Sequence, residues 1–546
     1  MGNSIAVVEP RSGGGPAAVV ESADKIRESY ADYLTDESRY GPPEAELLAL
    51  AEDESHVADV LLRARDERSS VTLSAGRTGI VGGAVPRGGF LLSLARMDRV
   101  LGARMTEDGE LLLTLEPGVT IAGLDERLRS GELGLDPADL DDGGRDALEA
   151  IAEPPGWFYP PDPTEDTAHL GATVATNASG SRSFRYGPTR RHVRGLRVVL
   201  PSGEVVDADR GDCVAEGRRF ELSTGDGVVP VDVPTYEMPS TKNAAGYFAR
   251  PGMDLVDLFI GSEGTLGVIT EIRVALSRRP EGMLSAIAFF DSDDEAVAFV
   301  SDARRESETG VRPLALELFD SRSLDFLRER KDEEGAGSEL PELPGDARSG
   351  VLFEQDYVED DLLELYEAWE ALLVRHGSSM ERTWGGMEES EQKRLKALRH
   401  GLPEQVNAVI ARAKAEHPEI HKIGTDAAVP AESLQEALSH CRDLMSGTGL
   451  SYIIFGHIGD SHLHLNILPA DPRELAQGKE LAMAIARKSV ELGGTVSAEH
   501  GIGKIKHDFL RIMYGDDGLR EMAKVKRALD PECVLNRDVM FPADLV

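Results

Sequence analysis

Three glycine-rich segments, spread through the first half of the chain, set the tightest limit on what it can fold into. Residues 74–86 read SAGRTGIVGGAVP, residues 159–187 read YPPDPTEDTAHLGATVATNASGSRSFRYG, and residues 257–272 read DLFIGSEGTLGVITEI. Closely spaced glycines let the backbone curl and let its N–H groups approach an anion such as a pyrophosphate. The first segment follows the apolar run Val71–Leu73, so a strand feeding a phosphate loop is one reading and a packing turn is the other. The glycines at 76, 79 and 82, and those at 261, 264 and 267, do not form G-x-G-x-x-G, and no G-x-x-x-x-G-K-[ST] occurs. A doubly wound dinucleotide domain and a P-loop are therefore not expected, and an NAD-dependent dehydrogenase loses its main support.

The 546 residues call for two or more domains. Glycines and short β-rich runs dominate to about residue 280, and longer helical patterns alternate with strands beyond it. The boundaries expected are residues 1–40 as a disordered or extended N-terminus, 41–280 as a first domain and 281–546 as a second. The first ~20 residues are Gly/Pro/Ala-rich, which favours disorder. LRVVL–PSG–EVVD (196–207) reads as a hairpin, and AIAFFDSDDEAVAFVSDARR as a strand followed by an amphipathic helix. The charged, Gly/Pro-containing stretch 331–350 reads as a surface loop. Proline suits the first turn of a helix, so a helix is expected to begin at Pro403.

With 41% hydrophobic and 29% charged residues, the composition is that of a soluble globular protein. No run approaches the ~20 apolar residues of a membrane span. The N-terminal sequence lacks the basic and apolar regions of a signal peptide, and position 6 is Ala6, which weakens a myristoylation reading. A cytoplasmic location is the expectation. A net charge of −38, from 59 basic and 97 acidic residues, would repel nucleic acid and anionic membranes. The three cysteines, Cys213, Cys441 and Cys533, lie far apart, which excludes a disulfide framework and a clustered iron–sulfur module.

Residues 456–466 read GHIGDSHLHLN. Strict alternation puts His462, His464 and Asn466 on one face of a strand and Leu463, Leu465 and Ile467 on the other. His457, one short glycine-containing turn upstream, has the reach to join the polar face. A second segment, GGTVSAEHGIGKIK (493–506), presents Glu499 and His500 between glycines. Two imidazoles and a carboxylate suit Zn²⁺ or another borderline divalent metal with open positions; solvated histidines at a strand end are the plain alternative. Spacing alone does not bring Glu499 to the histidines.

Taken together and in this order, these segments resemble the vanillyl-alcohol oxidase and p-cresol methylhydroxylase superfamily, and within it the D-lactate, glycolate and D-2-hydroxyglutarate dehydrogenases. The resemblance spans about residues 45–545 and implies an α+β fold. A PCMH-type FAD-binding domain would be followed by an FAD-linked oxidase C-terminal domain, an antiparallel sheet with helices, whose last ~20 residues return to the first domain. It implies that Ser74, Ala75, Gly76, Arg77, Thr78, Gly79, Gly82 and Gly83 wrap the FAD pyrophosphate. Pro161, Asp162, Gly171, Ala175, Thr176, Asn177, Ala178, Gly180, Tyr186 and Gly187 would line the flavin side. Glu263, Gly264, Thr265, Gly267 and Ile269 would complete the adenine side, with Asn536 of the closing segment against the cofactor. Covalent members attach flavin through His or Cys; the first loop has neither and His169 is the only histidine of the second segment, so FAD is expected to be non-covalent.

The same resemblance implies a metal, zinc by donor type, on His457, His464 and Glu499, with Asn466 on substrate and His500 as the base. Arg399 and Lys422 match residues that hold substrate carboxylates. Two departures stand out: Ser461 and His462 replace a Gly and an Asn, which leaves His462 as a neighbour rather than a ligand. Pro403 stands where the hydroxyglutarate enzymes carry a Thr, shifting the substrate expectation from a five-carbon dicarboxylate toward a lactate-like acid. The implied activity is that of an FAD-dependent 2-hydroxy-acid dehydrogenase. It would oxidise a small D-2-hydroxy acid, D-lactate or D-2-hydroxyglutarate-like, to the 2-oxo acid by hydride transfer to flavin N5. The metal would ease loss of the hydroxyl proton and His500, with an ordinary pKa near ~6.5, would accept it. Electrons would leave to a separate acceptor: a quinone, a cytochrome or an electron-transfer flavoprotein. A homodimer is the oligomeric expectation. The competing readings are an FAD oxidase of another alcohol using O₂ and a flavin-free metal hydrolase or binding protein.

Overall fold

Short apolar runs such as Leu47–Leu50 and Phe90–Ser93 are buried along their whole length, as strands covered on both faces must be. In the computed structural model, which describes residues 2–13, 16–305, 310–335, 338 and 340–546, they form the middle of a four-stranded sheet. Its order is Ala18–Val20, Leu47–Leu50, Phe90–Ser93, Val71–Ser74. The last three strands run parallel. Helix Glu54–Asp66, capped by the Asp53 carboxylate accepting from His56 N at 3.0 Å, packs Val57, Ala58, Leu61 and Ala64 into this layer. Beside it stands a five-stranded antiparallel sheet, in which the expected hairpin appears as Val193–Val199 against Val205–Asp209.

The C-terminal half is built on one antiparallel sheet. Its strand order is Thr383–Gly386, Gly282–Phe290, Ser349–Tyr357, Ala315–Phe319, Ser451–Gly456, His462–Leu468, Ile423–Gly424. Strand Gly282–Phe290 leads into helix Asp293–Ala303, as its pattern predicts. Trp369 of helix Leu362–Arg375 stacks on Phe353 at 4.1 Å between ring centroids, sealing one face of the sheet. The chain then returns to the first domain. Val71 N donates to Val534 O at 2.8 Å and Asn536 N to Val71 O at 2.8 Å, so the closing segment lines the edge of strand Val71–Ser74.

Three expectations need correction. The N-terminal stretch is ordered in part: Ser4–Ala6 pairs with Arg219–Thr224 and Ala18–Val20 with Leu47–Leu50. Composition argued for disorder because these partners are remote in sequence. The stretch 331–350 is not a plain surface loop among its described residues. Helix Ser321–Glu334 runs into it, and Leu340, Leu343 and Ala347 are buried in a core cluster. The helix containing Pro403 begins at Glu389 and runs to Glu416 with the proline inside it. Its ring removes the N–H that would reach the Arg399 carbonyl, but buried Leu395, Leu398, Leu402 and Val406 hold the helix on the sheet regardless.

Candidate active site

The first glycine segment leaves the end of a parallel strand, the edge where open α/β layers bind phosphates. Gly79 and Gly83 face open space, where a Cβ would meet nothing within 4 Å. Ser74 Oγ and His169 Nδ1 are buried without a hydrogen-bond partner. A polar ligand beside this segment fits both observations. Ala75 O accepts from Arg77 Nη1 at 3.2 Å, and the Arg77 guanidinium lies 4.7 Å over the Tyr33 ring. Gly76 packs so near His169 that a Cβ would lie 3.1 Å from its ring, and Gly82 abuts Tyr40.

In the second segment the Asp162 carboxylate accepts from Arg182 N and from Ser181 Oγ, both at 3.2 Å. Gly171 sits against Pro117 and Gly180 against the Asp162 backbone, with no room for a side chain at either. Asn177 Oδ1 accepts from Arg190 N at 3.0 Å, and Tyr186 O bonds His192 Nε2 at 2.9 Å. The third segment docks on the second through Glu263 N, which donates to Ala175 O at 2.7 Å. Each segment, and the closing one, holds a non-glycine residue in the left-handed region: Arg77 (φ 58°), Asn177 (50°), Glu263 (51°) and Asn536 (40°). Such strain persists only where the surroundings over-determine it.

Asn536 and Glu263, both expected on the cofactor, join segments of the protein through their polar groups. Asn536 Oδ1 accepts from Leu73 N at 2.9 Å and its Nδ2 donates to Glu263 O at 2.8 Å. It thereby staples the first segment to the third. The Glu263 carboxylate accepts from Ile502 N and Gly503 N, both at 2.8 Å, which ties the third segment to the loop carrying Glu499 and His500. Gly264 makes room for Leu73 and Asn536, Gly267 for Val198, and Ile269 lies within strand Val268–Ala275. Thr265 Oγ1 donates to Ser262 O at 2.7 Å.

The histidines behave as the alternation predicts. Ser461, left-handed at φ 53°, turns the chain from Ser451–Gly456 into His462–Leu468. That turn brings His457 back over the polar face, its ring centroid 5.3 Å from that of His462 and 5.5 Å from that of His464. Glu499 arrives from the 493–506 loop with an oxygen 3.2 Å from His457 Nε2. Among the described residues, His457, His462, His464 and Glu499 each bring one ligand atom within 4.8 Å of the others. Asp426, His464 and His500 form a second such group that shares His464. His462 thus lies within reach of the same point as the three expected ligands. Its Nε2 lies 3.0 Å from Asp426 Oδ1. A nitrogen-rich donor set with a carboxylate fits a borderline divalent metal.

Charge is balanced tightly here. Burial opposes protonation of His457, yet Glu317 and Glu499 on either side outweigh it and lift the pKa to about 9. Burial pushes His462, His464 and His500 down to about 4. Burial works against the Glu499 carboxylate, but His457 and Lys242 hold it well below the usual range. The His500 ring stacks on His464 at 5.3 Å and 11°, with Nδ1 3.4 Å from Asp426 Oδ2.

Four contributors escaped the sequence reading. Lys242 Nζ bonds Glu499 and Gly180 O and lies 3.5 Å from Asp460. Ser179 Oγ lies 3.3 Å from Glu499 Oε1, so the second glycine-rich segment touches the histidine cluster directly. Asp426 gathers the 493–506 loop, accepting from Ser497 Oγ (2.5 Å), His500 N (2.9 Å), Glu499 N (3.2 Å) and Lys506 Nζ (3.1 Å). Glu317 bonds His457 Nδ1 and lies 3.3 Å from Arg399 Nε. A lone carboxylate inside the apolar strand ALELF was the one local signal for Glu317. Asn466 is buried on the sheet opposite Gly424 and Ile453. Lys422 is exposed and its ammonium bonds Asn407 Oδ1 at 3.3 Å rather than any member of the cluster.

The glycine-rich segments of the first domain thus lie against a buried cluster of histidines and carboxylates; comparison with known proteins gives the class, a flavin-linked oxidoreductase. Residues 45–144 and 145–209 match the FAD binding domain, and residues 279–539 match the C-terminal domain of FAD linked oxidases. The two cover well over half of the chain, which therefore belongs to the FAD-linked oxidase family. It is 29% identical over 520 residues to the D-lactate dehydrogenase of Anaerostipes hadrus, covering 94% of this chain and 92% of that protein. It is 28% identical over 492 residues to the glycolate oxidase subunit GlcD of Bacillus subtilis, covering 89% and 87%. In fold it is similar to p-cresol methylhydroxylase with substrate bound, at a TM-score of 0.61 and 12% identity over 96% of this chain and 94% of that one.

Proposed function

We propose that the enzyme oxidises a small D-2-hydroxy acid of the D-lactate type to its 2-oxo acid, with non-covalent FAD and a divalent metal held by His457, His464 and Glu499. The observation that carries this reading is the meeting of three elements at one point: Ser179 and Gly180 of the flavin-side segment, Glu499 and Lys242, and the His457–His464 pair. FAD, when bound, supplies the hydride acceptor. A divalent metal, when bound, makes a hydroxyl proton easier to remove. His500 is the base in this reading: burial holds its pKa down, and Asp426, 3.4 Å from Nδ1, works against that by stabilising the cation formed when the ring takes a proton. Arg399, joined to Glu317, offers its guanidinium to the substrate carboxylate. Pro403, one turn further along the same helix face, offers no donor for a second carboxylate, which favours a monocarboxylic acid. Electrons would pass on to a quinone, a cytochrome or an electron-transfer flavoprotein.

The test is substitution with separate readouts. His457→Ala and Glu499→Ala are expected to lose bound metal and turnover with D-lactate while keeping the visible flavin spectrum. His500→Asn is expected to keep both metal and FAD and to lose turnover. Metal content unchanged in His457→Ala would overturn the ligand assignment, and near-normal rates in His500→Asn would remove it as the base.

A further inference from the structure

Glu317 is a carboxylate where a carboxylate is costly. It sits mid-strand between Leu316 and Leu318, only 3% exposed, with its strand paired on both sides. Its two oxygens face two different partners. Oε1 takes the Nδ1 proton of His457, and Oε2 lies 3.3 Å from Arg399 Nε. The first contact fixes the ring. With Nδ1 as donor, the nitrogen turned toward Glu499 is Nε2, at 3.2 Å. A carboxylate behind a ligand histidine sets both its tautomer and its orientation.

We propose that Glu317 is a positioning residue that presents His457 Nε2 to the metal and, through its other oxygen, aligns Arg399, so that one buried carboxylate sets both metal affinity and the grip on the substrate carboxylate. The proposal rests on the metal reading above. Because the same side chain holds both partners, its loss should disturb two properties at once. Its amide isostere makes a sharper statement. His457 Nδ1–H and the Arg399 guanidinium are both donors, whereas a glutamine has one acceptor oxygen and a donating NH₂. Glu317→Gln must therefore give up one of the two links.

The experiment uses FAD-loaded protein and Zn²⁺ competition against a chromophoric chelator, beside KM and kcat for D-lactate. Glu317→Ala is expected to weaken Zn²⁺ binding by about 10–100-fold and to raise KM. Glu317→Gln is expected to show one of the two shifts. Thermal unfolding and flavin content verify that each variant is folded; if Glu317→Ala is not, Glu317→Gln decides. Wild-type Zn²⁺ affinity together with wild-type KM in folded Glu317→Gln would overturn the proposal alone. Wild-type protein that binds no Zn²⁺ would overturn the metal reading and this proposal with it.

Discussion

Lys242 shows how finely the site is balanced at the level of single residues. Its ammonium is 5% exposed and sits between Glu499 and Asp460. Burial disfavours its charge, but the two carboxylates hold it protonated. Removing one member of such a buried pair strands the other, at a cost of about 3–5 kcal/mol. Lys242→Met is therefore expected to destabilise the metal-free protein far more than the Zn²⁺-loaded one, since a bound cation would take over the neutralising role. The gap in Tm between chelator-treated and Zn²⁺-loaded samples should widen; a gap equal to that of the wild type would contradict this. The residues that alternation exposes, His462, His464 and Asn466, were legible because period two is a local property, and His457 because it stands one short turn upstream of them. Lys242, Glu317 and Asp426 were not. Each acquires its role from a partner tens to hundreds of positions away, and no local spacing encodes that.

Connections between elements are carried by a few buried polar anchors. Glu263 joins the third glycine segment to the Glu499 loop, and its burial pushes the pKa from 4.5 up to about 7 despite the two N–H groups it accepts from. The folded state thus binds the Glu263 proton more tightly than the unfolded chain does. Its stabilising contribution is complete below pH 4.5 and is lost as pH rises through about 7. In Glu263→Gln the fall in Tm over that window should flatten; an unchanged slope would show that ionisation of Glu263 does not drive it. At this scale the hairpin at 196–207 and the strand–helix unit from 282 follow from pattern alone. The helix around Pro403 did not. Proline's preference for a first turn is a local tendency, and the burial of residues on both sides of it outweighs that tendency.

At the level of the whole molecule, the proposed site lies where the two domains meet. Arg182 of the first bonds Glu354 of the second at 2.7 Å, beside the Ser179–Glu499 contact. The two-domain α+β plan was legible because several separated glycine and histidine segments occur in one order. The ordered N-terminus was not, because a short strand is stabilised by an edge whose sequence lies elsewhere. Although acidic residues outnumber basic ones by 38, Lys242 and Arg399 lie at this seam, each beside a carboxylate. No helix among the described residues is long and apolar enough to cross a membrane.

The central claim is that flavin reduction by a D-2-hydroxy acid depends on the metal cluster. It is tested most directly by mixing the FAD-loaded protein anaerobically with D-lactate and following loss of the oxidised flavin spectrum. The measurement is repeated with L-lactate, after chelator treatment, and after Zn²⁺ is restored. Rapid bleaching by the D isomer alone, abolished by the chelator and recovered with Zn²⁺, is the predicted result. Bleaching at the same rate in chelator-treated protein would contradict it.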